Sequence, residues 1–165
     1  MEIEKVLIGL SKDEYGGSYR NDILTIYKTY LEMADRISAR REKTNSYFLT
    51  INTALIGLVT YLSLSVKPCP VLFTHFPIAI AGITLSYIWY RIIRSYRDLN
   101  SAKFKVIHRI EKFLPLAPYD AEWETVGRGK NKKLYLPFTH VEIFVPWIFA
   151  LLHFYVFLRA MSSLL

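Results

Sequence analysis

The sequence predicts an all-α polytopic membrane protein with three transmembrane helices, the first two forming a hairpin whose legs extend into the cytoplasm as long paired helices. Three observations carry this expectation. Hydrophobic residues make up 52% of the chain and charged ones 21%, yet the two kinds are segregated: no Asp, Glu, Lys or Arg falls in residues 47–66 or 71–90. Each window is long enough for a helix to cross about 30 Å of hydrocarbon. A third apolar run begins at Ile143 and is interrupted only by His153 and Arg159. Finally, the corner Lys67-Pro68-Cys69-Pro70 leaves room for nothing but a tight turn, which makes the first two spans antiparallel neighbours.

The charge balance orients these spans. Residues 1–46 hold eight basic and eight acidic side chains, residues 91–142 hold eleven and six, and Lys67 and Arg159 complete the net charge of +7. Lys and Arg gather on the cytoplasmic side of membrane spans. The N-terminus is therefore expected inside, the Lys67 corner and the C-terminus outside. The basic excess reads as a topology signal with some attraction to anionic lipid, and no nucleic-acid partner is expected. Cys69 is the single cysteine, which excludes an intramolecular disulfide. The first apolar run, Val6 to Leu10, is too short for a signal-peptide core.

Taken in order, residues 1–20 form an N-terminal segment of loop-like composition, with room for a short helix at Ile3 to Leu10. Residues 21–46 form a cytoplasmic amphipathic helix capped by Asn21 or Asp22, because Ile23, Tyr27, Tyr30, Ala34 and Ile37 recur at alternating spacings of four and three. It runs unbroken into the first span, residues 47–66, since only Gly57 weakens it and glycine is tolerated in a membrane helix. The outer turn is 67–70 and the second span 71–90, with its helix starting near Pro77, where a missing amide costs least. Residues 91–114 continue the second helix to Pro115 on a stripe of Leu99, Ala102, Val106, Ile110 and Phe113, placed to pack on residues 23–37. Residues 115–142 are a cytoplasmic fold-back and basic loop: a short helix capped by Asp120 and anchored by Trp123, then the solvated run Gly127 to Lys133. The third span is 143–163, with Thr139 as cap and Glu142 facing the positive end of its dipole.

Within the membrane, Thr50, Thr53 and Gly57 line one side of the first span, and Ala79, Gly82 and Ser86 repeat the pattern in the second. Small residues let helix backbones approach where lipid supplies no hydrophobic drive, so these two faces are expected to meet. A pore lining by Thr50, Asn52, Thr53 and Thr60 is the rival reading. Arg40, Arg41, Lys43, Arg91, Arg94 and Arg97 flank the spans, where they would snorkel to lipid headgroups, with Tyr87, Trp89 and Tyr90 as an interfacial belt.

The order of motifs is informative. Ser38-Ala39-Arg40-Arg41 leads into Phe48-Leu49-Thr50-Ile51-Asn52-Thr53-Ala54. Leu99-Asn100-Ser101-Ala102-Lys103-Phe104-Lys105-Val106-Ile107-His108 follows with Glu111, then Leu114-Pro115 and Tyr119-Asp120-Ala121-Glu122-Trp123. This combination, over roughly residues 20–150, resembles the RipA family of octameric bacterial membrane proteins. The resemblance implies a bacterial inner membrane location and a homo-octamer, and it brings no established catalytic residue.

Chemistry-bearing constellations are sparse. The glycine and lysine run 127–133 lacks phosphate-loop spacing. No two of His75, His108, His140 and His153 share a helical turn, so a metal site would need ligands from different elements or subunits, and none is assigned. His153 lies inside a span, where an ionisable group is a functional candidate; the plainer reading is a neutral imidazole bonded to a neighbouring helix. Lys103, Lys105 and Arg109 are candidates for an anion or subunit contact, and ion pairs of His108, Arg109, Glu111 and Lys112 with Asp120, Glu122 and Glu124 would fold the short helix back. No cofactor and no enzymatic activity are expected. The function expected is that of a homo-oligomeric inner membrane scaffold or assembly protein, with self, anionic lipids and an unidentified protein as partners. The alternatives are a channel around the oligomer axis and a membrane-bound small-molecule-sensing effector. A C-terminal reporter that works only outside the cytoplasm is expected to be active; an inactive fusion would refute the three-span topology.

Overall fold

A computed structural model describes residues 7–64, 71–130 and 141–163. It is all-helical. Helix α1 is the single turn Lys12–Tyr15, α2 runs Tyr19–Leu64, α3 Val71–Glu111, α4 Pro118–Thr125 and α5 Phe144–Ser162, with a 3-10 turn at Gly127–Gly129. α2, α3 and α5 are each long and apolar enough to cross a membrane. The expected corner at 67–70 with Cys69, the end of the basic loop from Asn131, His140 and the Thr139 cap lie outside the described residues.

Helix α2 is unbroken for 46 residues, through Gly57. α3 departs from expectation at both ends. It starts at Val71, so Pro77 sits inside it and forfeits one backbone bond, to the carbonyl of Phe73. It ends at Glu111 rather than Leu114, because the next three amides bond three residues back: Lys112 to Arg109, Phe113 to Ile110 and Leu114 to Glu111. Such i to i−3 bonding tightens and closes a helix. α1 was not anticipated. Ser11 and Glu14 form a capping box, a pattern visible as Ser-x-x-Glu.

The described residues of Met1–Ala39 and Arg97–Pro137 form one compact unit, and those of Arg40–Tyr96 and Phe138–Leu165 another. The first unit packs Tyr27 and Ala34 of α2 against Ile107 and Ile110 of α3, with Ile23, Tyr30, Phe104 and Tyr119 around them. Its polar centre is Glu111, which is buried. One carboxylate oxygen accepts the Tyr27 hydroxyl at 2.8 Å and the Tyr119 amide at 2.9 Å; the other accepts the Asp120 amide at 3.0 Å. Ala117, at the N-cap of α4, offers no side-chain acceptor. Glu111 therefore does the capping expected of Asp120, and does it at the positive end of the helix, where a carboxylate is stabilised. Asp120 instead lies 3.4 Å from Arg128 and 4.0 Å from His108. Arg128 also bonds Glu124, so the basic run begins as an ordered turn. Gly127 and Gly129 take positive φ, and Gly129 lies against the half-buried Trp123, which a Cβ would approach to 3.0 Å.

Burial, reinforced by Glu111, pushes the Tyr27 hydroxyl well above the usual phenol range. Since the folded value is raised, the stabilisation is complete below about pH 10, the unfolded phenol's value, and is lost as pH climbs through the folded value. Tyr27→Phe is expected to cost about 1.5–3 kcal/mol, as for a hydrogen bond to a charged group, and to remove this share of the alkaline destabilisation. Denaturant titrations of both proteins at pH 8 and 11 measure both effects.

Candidate functional site: a polar layer between the three spans

In the second unit, residue numbers that rise along α2 fall along α3. Asn45 bonds Trp89, Asn52 bonds Ser86 and Ser63 bonds His75, so the first two apolar helices are paired and antiparallel. Phe48, Trp89 and Ile93 form its apolar core, flanked by Leu85, Ile143 and Phe149. Phe48 stacks on Trp89 at 5.9 Å between ring centroids, and Phe149 lies 6.1 Å from Trp89.

Each helix then contributes one fully buried polar side chain to a single cluster: Asn52 from α2, Ser86 from α3 and His153 from α5. Asn52 Nδ2 donates to the Phe48 carbonyl one turn back at 2.9 Å. That bond fixes the amide so that Oδ1 faces the neighbouring helices. Ser86 Oγ donates to Oδ1 at 3.1 Å, and His153 Nε2 lies 3.1 Å from the same atom. An amide oxygen only accepts, so this geometry assigns the imidazole proton to Nε2. Nδ1 is buried and, among the described residues, has no hydrogen-bond partner. The ring rests on Gly82, where any Cβ would overlap it. Glycine is required there because the imidazole lies directly against the α3 backbone.

Two further sets of polar contacts lie along the same helices. Trp89 Nε1 donates to Asn45 Oδ1 and Asn45 Nδ2 donates to Glu142 Oε1, both at 2.9 Å; Arg41 Nε stands 3.7 Å from Glu142 Oε2. Toward the other end of α2, Ser63 Oγ donates to the Val59 carbonyl and accepts from His75 Nε2 at 2.9 Å, while Thr74 Oγ1 lies 2.8 Å from His75 Nδ1. The arrangement clamps helices together. The carboxylate that takes part, Glu142, bonds Asn45 and faces Arg41.

The family model that matches this chain, described as the octameric membrane protein family (8xMP), spans residues 24–162. The chain belongs to the octameric membrane protein family. No curated protein and no solved structure matches it. The matched region holds the whole polar cluster, from Asn52 to His153.

In this member of the family, the six small-residue positions separate into two groups. Ala79, Gly82 and Ser86 are buried, while Thr50, Thr53 and Gly57 are exposed. The two faces do not meet: α2 buries Phe48, Asn52 and Val59, about 150° round the helix from the threonine and glycine stripe at 100° per residue. Asn52, grouped in sequence with the pore-lining reading, faces the three-helix core. Trp89 is core rather than belt, for its indole N–H is used by Asn45. Glu142 precedes α5 and turns to α2 instead of to the α5 dipole. Arg41 is drawn to Glu142 and Arg97 to Asp98. Arg40, Lys43, Arg91 and Arg94 are exposed, the last two donating to Tyr87 and Tyr90 one turn back. Lys103 sits 4.5 Å over the Tyr30 ring, and Lys105 and Arg109 project from another side of α3 by helix geometry, so these three do not converge within one chain. Among the described residues no three His, Cys, Asp or Glu side chains are grouped to hold a metal ion.

Removing the shared acceptor with Asn52→Leu is expected to lower stability by about 0.6–1.7 kcal/mol, the range for hydrogen bonds between membrane helices. Gly82→Val is expected to cost more, because α5 must move away from α3. Unfolding by SDS titration in mixed micelles ranks the two variants against the wild type, and the double variant Asn52→Leu/His153→Leu should cost less than the sum of its parts.

Proposed function

We propose that the protein is a homo-octameric scaffold of a bacterial inner membrane, in which association, rather than a catalytic step, is the function. The observation that carries this reading is the outward stripe of α2. Thr50, Thr53, Gly57 and Thr60 are exposed on the single chain, and the Thr50 and Thr60 hydroxyls are turned back onto the carbonyls of Ser46 and Ile56 at 2.8 and 2.9 Å. Hydroxyls satisfied by their own helix need no water, which favours close packing against another helix over the lining of an aqueous path. Membership of a family named for its octamers supports eight copies of this chain as the partners. The exposed Arg40, Lys43, Arg91 and Arg94 support contact with anionic headgroups at the edge of the apolar windows.

A Cβ added at Gly57 meets nothing within 4 Å, so the chain's own fold leaves room for a test. Thr53→Leu/Gly57→Leu is expected to reduce the assembly measured by native mass spectrometry from lipid nanodiscs to smaller species, with helicity unchanged. A monomeric wild type would overturn the scaffold. Ion conductance by the wild type in planar bilayers, with a selectivity changed by Thr53→Lys, would replace it with a channel.

A further inference from the structure

The sequence stripe on α3 is wider than the surface α2 covers. Phe104, Ile107 and Ile110 turn into the core of the first unit, whereas Leu99 and Phe113 remain 47% and 45% exposed. On α2, Ile26 and Met33 are likewise 54% and 44% exposed, and they lie two turns apart on one side of the helix. The two exposed flanks are adjacent. Ile26 and Phe113 line the same shallow cavity of about 300 Å³, which Leu7, Ile8, Leu10 and Tyr15 of the N-terminal segment also border.

This face belongs to a stretch that carries Arg20, Asp22, Lys28, Glu32, Asp35 and Arg36, too many charges for hydrocarbon. In water exposed apolar side chains on one side of a helix pair offer a contact surface. We infer that the face formed by Ile26, Met33, Leu99 and Phe113 is covered by a second copy of this chain. The inference rests on the oligomeric reading above and extends it from the membrane stripe to the charged unit. Membership of the octameric family makes another copy the occupant: in a closed assembly every chain gives up surface to its neighbours, and these four are among the apolar side chains that the described residues of the first unit leave exposed.

The test uses the full chain in lipid nanodiscs, in a Cys69→Ser background, with single cysteines labelled by a water-soluble maleimide. In the assembled protein, Met33→Cys and Phe113→Cys are expected to react at least tenfold more slowly than Lys28→Cys on the charged side of α2. Met33→Glu/Phe113→Glu should shift the native mass to smaller species, while Met33→Leu/Phe113→Leu should not. Labelling of Met33→Cys and Phe113→Cys at the control rate in an intact oligomer would overturn this inference and leave the scaffold standing. Protection that persists in nanodiscs holding one chain would mean that lipid covers the face, and would also overturn it. A wild type that never assembles would remove the scaffold and this inference together.

Discussion

Asn52 can occupy a membrane span because its amide is used within the chain. In hydrocarbon a polar group without a partner costs several kcal/mol, so an asparagine there restricts what surrounds it. Its nitrogen is bonded one turn back along α2, which points its oxygen at α3 and α5. Ser86 and His153 then have a defined acceptor. The distances of 3.1 Å on both sides are met only when all three helices hold one register and rotation. Apolar packing of Phe48, Trp89 and Phe149 fills the space beside this cluster, but such contacts change gradually as helices slide. A shared acceptor does not, which makes the cluster a source of specificity more than of raw stability.

Glu111 plays the corresponding part in the first unit, by different chemistry. It stands at the last residue of α3, and its two oxygens bind the Tyr27 hydroxyl and the first free amides of α4. A helix of eight residues is marginal by itself, and α4 has no side-chain cap of its own. Supplying that cap from α3 ties the fold-back to the helix pair. Both units thus use one buried polar group that accepts from two elements. The difference follows from the surroundings: a carboxylate is tolerable where helix N–H groups face it, and a neutral amide is what a span allows.

Much of the fold was legible in the sequence. The charge-free windows and the tight outer corner are enough to read three apolar helices with the first two paired, because hydrophobic length and charge segregation are properties of the sequence itself. The unbroken α2 could be read from the lack of a strong breaker. Boundaries were less readable. The end of α3 moved from Leu114 to Glu111 because closure came from tightened hydrogen bonds before the proline, and Pro77 was accommodated inside a helix that began earlier. The candidate site was legible only in part. Small-residue spacing identified Ala79, Gly82 and Ser86 and also Thr50, Thr53 and Gly57, but spacing cannot say whether a face meets a helix of the same chain or of another. Asn45, Asn52 and Glu142 were underread for a related reason: a single polar residue has no period, and its partner is more than thirty residues away. What marked Asn52 was its presence in a charge-free span, a stronger signal than any stripe.

That division suggests how the chain separates folding from assembly. On α2 the face that carries Phe48, Asn52 and Val59 is spent within the chain, and the polar group on it is one that needs partners from other helices. The opposite face carries Thr50 and Thr60, whose hydroxyls are satisfied by their own backbone, so leaving these two in lipid costs the monomer little. A face of the second kind can exist uncovered before assembly and still permit close backbone approach afterwards. Were the two exchanged, with Asn52 facing outward, the single chain would hold an unpaired amide in hydrocarbon and would be driven to associate before α5 was in place. Keeping the asparagine inward and the threonines outward allows the three spans to pack first and the copies to meet second, an order that the two-stage assembly of membrane helices favours.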